Sequence, residues 1–255
     1  MVDKTCYFAQ TCRKKSDGGC LKFCYPYDLL HGPNGSGGAL ALANVPKKYT
    51  GCLLENLPIA EDNPKTAEVV RKYIQNCDLY VNVKGLGLYL FSVPNEENKF
   101  GTGTGKTTTA ITILNEYIVD QIRRMVRKEK ELNADIGLFV KMSDFQNKFN
   151  EQFRGSHGLQ QEASENYYHF KKRMKSVSLL VLDDIALRDT SESFRTELYE
   201  IIDHRTTEDL VTLYTSNLPL EKLTESLGER IVSRIDGSCY RLAFKGKDHR
   251  KDWRL

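Results

Sequence analysis

Five short apolar runs punctuate the chain from residue 86 onward: "LGLYLFS" (86–92), "IGLFVKM" (136–142), "SLLVLDD" (178–184), "LVTLYTSN" (210–217) and "CYRLAF" (239–244). Each has strand length, and helical periodicity fills most of the intervals between them. The longest interval, "KTTTAITILNEYIVDQIRRMVRKEKE", predicts an extended helix beginning at 106. Apolar strands alternating with helices predict an α/β fold, a parallel sheet flanked by helices on both faces. Upstream, "NPKTAEVVRKYIQNC" from Asn63 predicts another helix: Asn63 as its cap, Pro64 in its first turn, and Ala67, Val70, Tyr73 and Ile74 on one face. Residues 1–45 are rich in Cys, Gly, Pro and Tyr and carry no sustained period; "LLHGPNGSGGALAL" reads as a glycine-rich bend. There is no internal repeat.

Composition narrows the function classes. A chain of 255 residues with 40% apolar and 28% charged residues can bury a real core, and none of its apolar runs approaches the ~20 residues of a membrane span. The N-terminal "MVDKTCYFAQTCRKK" lacks the apolar stretch of a secretory signal, so the expected compartment is the cytoplasm, with no membrane partner. Net charge is only +3, from 37 basic and 34 acidic residues, so any contact with nucleic acid must come from a local patch.

The most informative stretch joins the first strand to the long helix. "FGTGTGKTTTA" comes close to the phosphate-binding pattern G-x-x-x-x-G-K-[ST], in which backbone N–H groups and a helix N-terminus surround phosphate. Lys106 would sit on the β- and γ-phosphates, and the Thr107 hydroxyl would complete a magnesium shell. Gly101, Thr102, Gly103, Thr104, Gly105 and Thr108 complete the expected nucleotide-binding set. One position departs from the pattern, because Phe100 stands where the first glycine belongs. The strand is expected to end near Ser92, with "VPNEENKF" inserted before the glycines. Phe100 is then a hydrophobic peg outside the cradle, and Gly101 supplies the local flexibility.

"SLLVLDDIA" puts two aspartates at the end of an apolar strand, 77 residues after the lysine. Asp183 would hold magnesium through water, and Asp184 would polarise the attacking water where many related ATPases have a glutamate; slow turnover is expected from the shorter side chain. "LVTLYTSN" ends the next strand on Asn217, placed to orient that water and sense the γ-phosphate. "LGERIVSRIDG" then carries Arg230 and Arg234 one turn apart; Arg234 would reach a neighbouring subunit's phosphate and Arg250 the γ-phosphate in its own subunit. This chain order is AAA+-like.

Cys6, Cys12, Cys20 and Cys24 form C-x5-C-x7-C-x3-C, a set of thiolates suited to a closed tetrahedral zinc site. His31 is a possible substitute ligand, though a histidine beside a Gly-Pro turn is ordinarily exposed. Cys52, Cys77 and Cys239 read as packed thiols. The basic runs "QIRRMVRKEKE" and "FKKRMK" read as solvated helix ends or as phosphate contacts to single-stranded DNA. Phe145, Phe149 and Phe153 recur at helical spacing, as core or a partner groove rather than a base-stacking platform.

Taken together, "GTGTGKTTTA", "LLVLDDIA", "YTSNLPLEKL" and "LGERIVSRI" resemble the bacterial and phage replicative helicase loaders of the DnaC/DnaI type, small AAA+ ATPases related to the initiator DnaA. The likeness runs over about residues 45–255. It implies a P-loop AAA+ sheet at 85–255, a linker helix within 56–84, and a zinc-binding, helicase-gripping module at 1–55. It also implies ATP/ADP, magnesium and zinc as cofactors. The implied partners are a DnaB-type hexameric helicase, single-stranded DNA and further copies of the chain, with Arg234 shared between subunits. The alternatives are a transposition-helper ATPase, which usually lacks a zinc module, and a non-catalytic adaptor whose nucleotide is a structural latch.

Overall fold

The computed structural model describes residues 6–8, 12, 23–57, 59–131, 135–186 and 190–250. Its centre is a five-stranded, all-parallel sheet built from β1 (Gly87–Ser92), β2 (Gly137–Lys141), β3 (Leu179–Asp183), β4 (Val211–Ser216) and β5 (Cys239–Phe244), in the order β2-β3-β4-β1-β5. All five expected strands form where the apolar runs lie. Alternation along them divides the core in two. Leu88, Leu90, Leu179, Val181, Val211 and Leu213 point to one face, while Tyr89, Leu180, Leu182 and Tyr214 point to the other.

The first face is covered by α5 (Lys106–Val126) together with α3 (Pro64–Gln75) and α4 (Cys77–Asn82). Two short helices precede them, α1 (Tyr25–His31) and α2 (Gly38–Leu42), in a region whose sequence shows no period. They succeed through burial rather than propensity: Leu30, Leu40 and Ala43 enter the same core as Ile111 and Ile113. The exit of α2 also closes an edge of the sheet. The Phe139 N–H of β2 donates to the Ala43 carbonyl (2.8 Å), and the Asn44 amide donates to the Phe139 carbonyl (3.1 Å).

The opposite face is covered by α6 (Met142–Glu151), α7 (His157–Ser176), α8 (Glu192–Thr207) and, after the one-turn α9 (Thr224–Leu227), by α10 (Glu229–Ser238). Phe145 and Phe149 are buried against Phe194 and Tyr167, so this part of the aromatic spacing is core; Phe153 is exposed. Among the described residues no helix is long and apolar enough to cross a membrane.

Two local expectations are corrected. Asn63 does begin α3, but its side chain does not cap it. The amide instead donates to the Lys245 carbonyl and its oxygen accepts the Lys245 N–H, both at 2.8 Å, tying the linker to the chain just past β5. The long helix from 106 ends at Val126, and Lys128 follows with φ 61°.

Candidate nucleotide-binding site

The carboxyl ends of β1, β3 and β4 meet where strand order reverses, the usual place for a ligand in an open parallel sheet. The loop from β1 ends on the first turn of α5, so the N-terminus of a 21-residue helix points at the site. Gly101, Gly103 and Gly105 have φ of 60°, 66° and 93°. A Cβ on Gly101 would lie 2.4 Å from the Cβ of Ser92, and one on Gly103 would lie 1.7 Å from Oδ1 of Asp248. Gly101 therefore does what the missing first glycine would do, bringing the loop backbone hard against the end of β1. Phe100 is 82% exposed and stands outside this cradle.

Inside the loop, Lys106 is almost entirely buried. Its ammonium donates to Oγ of Ser92, to the Gly101 carbonyl (3.1 Å) and to Oγ1 of Thr104 (3.4 Å). These are neutral partners, the interactions a phosphate oxygen would replace. Burial pushes the Lys106 pKa down to about 8; Arg250 pushes in the same direction, and Asp184 and Asp183 oppose it. Thr108 lies half-buried on the same first turn of α5.

Oγ1 of Thr107 donates to Oδ1 of Asp183 at 2.7 Å, bridging 76 residues of sequence. A second hydroxyl, Oγ1 of Thr215 on β4, donates to the same oxygen at 2.7 Å and accepts the backbone N–H of Asp184 at 2.9 Å. Asp183 is buried at the end of β3, whereas Asp184, the next residue, is exposed and has φ 58°. Partial desolvation there, and then the Asp183 charge, raise the Asp184 pKa above the ordinary carboxylate range. Hard oxygen donors from Thr107 and Asp183, beside the Lys106 ammonium and the N-terminus of α5, suit magnesium and phosphate. Asn217 is half-buried immediately after β4.

The chain beyond β5 returns to this loop. The His249 N–H donates to the Gly103 carbonyl (3.3 Å), and Oγ1 of Thr102 donates to Oδ2 of Asp248 (3.1 Å). His249 is also paired with Asp62 at 2.6 Å. This anchored segment carries Arg250 to the site, near enough for its charge to act on both Lys106 and Asp184. Arg234 lies elsewhere, on α10, where it pairs with Asp203.

Several contributors escape a motif search. Asn98 is buried and pins the loop from within: its amide donates to the carbonyls of Thr102 (2.7 Å) and Gly246 (3.2 Å), and its oxygen accepts the Thr102 N–H (3.2 Å). Ile59 packs within 2.7 Å of the Cβ position of Gly105. Thr215 is buried on β4, where no motif marks it.

The cysteine cluster and the basic runs come out differently. Among the described residues no three His, Cys, Asp or Glu side chains gather as a metal site, and Cys20 lies outside the described residues. His31 is buried rather than exposed. It packs between the rings of Tyr7 and Tyr27, with Nε2 accepting the Tyr7 N–H at 3.4 Å, so it is engaged as a core acceptor. The basic runs are largely neutralised within the chain. Arg124 pairs with Asp120 and Asp78, Lys130 with Asp78, Lys171 with Glu197 and Glu200, Arg173 with Asp135, and Lys175 with Glu200. The solvated-helix reading fits these residues better than a DNA track.

No family model matches the chain. It is 25% identical over 214 residues to the replicative helicase loader DnaC of Buchnera aphidicola subsp. Baizongia pistaciae, an alignment spanning 83% of this chain and 74% of that protein. The crystal structure of the DnaC helicase loader superposes with a TM-score of 0.55 at 22% identity, covering 78% of this chain and all of that one. The chain shares the α/β fold of that loader. The replication initiator DnaA bound to AMPPCP and single-stranded DNA superposes with a TM-score of 0.53 at 21% identity, over 79% of this chain and 51% of DnaA.

Proposed function

We propose that this chain is a magnesium-dependent ATPase that delivers a DnaB-type hexameric helicase onto single-stranded DNA when replication starts. The observation that carries the reading is the convergence of Lys106, Thr107, Asp183 and Asp184 on one cradle, in a chain whose relatives are named helicase loaders. Lys106 and the loop residues 101–108 would bind ATP or ADP phosphates; Thr107 and Asp183 would hold magnesium, which would supply charge neutralisation on the phosphates. Asp184 and Asn217 would orient the attacking water. Arg250 would contact the γ-phosphate in the same subunit, and Arg234 that of a neighbour in a self-assembled oligomer. In this reading residues 1–55 grip the helicase, 56–84 link, and 85–255 bind nucleotide, in the cytoplasm of a bacterium or its phage-infected form. Zinc at Cys6, Cys12, Cys20 and Cys24 rests on their spacing alone, and metal analysis of the purified chain tests it.

The deciding experiment is co-purification with a DnaB-type hexameric helicase, alongside ATPase assays with and without single-stranded DNA. Stable capture with ATP turnover is expected. A chain that turns over ATP without capturing the helicase fits the transposition helper. One that captures the helicase without turnover fits the adaptor.

A further inference from the structure

We propose that Thr215 is a positioning residue for ATP hydrolysis, whose hydroxyl holds the two strand-end aspartates in register. The inference rests on the ATPase reading above.

The β3–β4 ladder ends at the pair Leu182–Tyr214. Beyond it, Thr215 alone engages three consecutive residues of the opposite chain. Its hydroxyl donates to Oδ1 of Asp183 and accepts the N–H of Asp184, and its carbonyl accepts the N–H of Ile185 at 3.0 Å. With 2% of its surface exposed, Thr215 has no water to substitute for these bonds.

The middle contact governs geometry. Asp184 sits at φ 58°, a left-handed conformation uncommon outside glycine but one that aspartate adopts more readily than most residues. The Thr215 hydroxyl accepts its N–H there. At that turn Asp184 becomes exposed, with the Lys106 and Arg250 charges acting on it, while Asp183 stays buried. Without the hydroxyl, the Asp184 N–H loses its acceptor and the turn can relax toward an extended conformation, drawing the carboxylate away from the attacking water. The contact to Asp183 has a separate use. Thr107, the other donor to that oxygen, is also the hydroxyl placed to ligate magnesium, whereas Thr215 approaches from β4 and stays committed to Asp183.

The test compares Thr215→Ser, which keeps the hydroxyl, with Thr215→Ala, which differs from the serine variant only by lacking it. Thr215→Val, nearly isosteric, is the third variant. Thr215→Ser is expected to turn over ATP near the wild-type rate. Thr215→Ala and Thr215→Val are expected to lose kcat by about 10- to 100-fold, with KM and ADP affinity within about twofold, because a misaimed group slows chemistry more than binding. If Thr215→Val does not fold, the serine-to-alanine ratio of kcat carries the result. Equal kcat in those two variants overturns the proposal, as does a loss confined to KM. A wild-type chain that binds no ATP fails the underlying ATPase reading at the outset; a wild type that hydrolyses ATP beside equal Ser and Ala variants fails this inference alone.

Discussion

Nη2 of Arg234 lies 2.7 Å from Oδ1 of Asp203, so the arginine assigned to a neighbouring subunit's phosphate is held by α8 of its own subunit. Both side chains are substantially exposed, and such pairs contribute about 1 kcal/mol or less. A pair this weak would yield to a neighbour's phosphates in the proposed assembly. Arg234→Ala is expected to leave ATP affinity unchanged and to lower steady-state ATPase by about 100-fold or more, the scale of losing one transition-state donor. Asp203→Asn is expected to change turnover by no more than about fivefold, the ratio that a 1 kcal/mol contact allows. If Arg234→Ala hydrolyses ATP normally, Arg234 is not the shared arginine.

Lys106 gives a pH-dependent signature. Its pKa of about 8 follows from burial among neutral acceptors. Phosphate would restore the charged form, so binding at pH 8 should take up about half a proton per ATP, with little uptake from this group near pH 6. Calorimetry in buffers of different ionisation enthalpy measures this number directly. Lys106→Arg should abolish the uptake, since the guanidinium stays protonated, and Lys106→Ala should abolish nucleotide binding. The same shift has a stability consequence. Below about pH 8 the folded state bears the burden of a buried charge, and between about 8 and 10.5 the unfolded chain binds more protons, so the empty protein should gain stability as pH rises through that window.

What the sequence reveals and what it hides divide along physical lines. The strands are legible because β1, β3 and β4 are buried on both faces and so are mostly apolar. Lys106, Thr107, Asp183 and Asp184 stand out in the sequence because phosphate and magnesium would call for such side chains in that order, and the structure brings Thr107 against Asp183. Asn98, Thr215 and Asp248 were not, because each acts on backbone or on another side chain through contacts that no local pattern encodes. The burial of His31 and the neutralisation of the basic runs are likewise tertiary facts. Lys130 meets Asp78 across 52 residues, and nothing near either one announces it.

Arg205 is wholly buried, and the partners of its guanidinium are neutral oxygens. Nε donates to Oγ1 of Thr212 (2.9 Å), and Nη1 donates to the carbonyls of Met174 (2.9 Å) and Val177 (2.8 Å); Nη2 donates to the Val211 carbonyl. Met174 lies in the last turn of α7, where the negative end of the helix dipole favours a cation. Arg205 thus joins α7 to the start of β4 from within α8. Arg205→Met removes the donors and leaves the carbonyls buried, which should cost at least about 3 kcal/mol in urea denaturation. A loss under about 1 kcal/mol would mean that the carbonyls find other partners.

Phe100 and Asn98 make opposite predictions within one loop. Phe100 is the conspicuous departure from the phosphate-loop pattern, yet it projects into solvent, and Gly101 meets the steric demand beside Ser92. Phe100→Ser is therefore expected to leave ATP affinity within about twofold, as surface substitutions ordinarily do. Asn98 resembles nothing in a motif but makes three hydrogen bonds that join the loop to itself and to Gly246. Asn98→Ala leaves those half-buried backbone groups without their Asn98 partner, at a cost of about 1–3 kcal/mol. Where that cost falls on the binding-competent loop, ATP affinity drops by about 5- to 150-fold, since each 1.4 kcal/mol is a factor of ten. Titration of both variants with a fluorescent ATP analogue separates the two outcomes. Strong loss in Phe100→Ser, with Asn98→Ala unaffected, would place the aromatic inside the cradle and reverse the assignment.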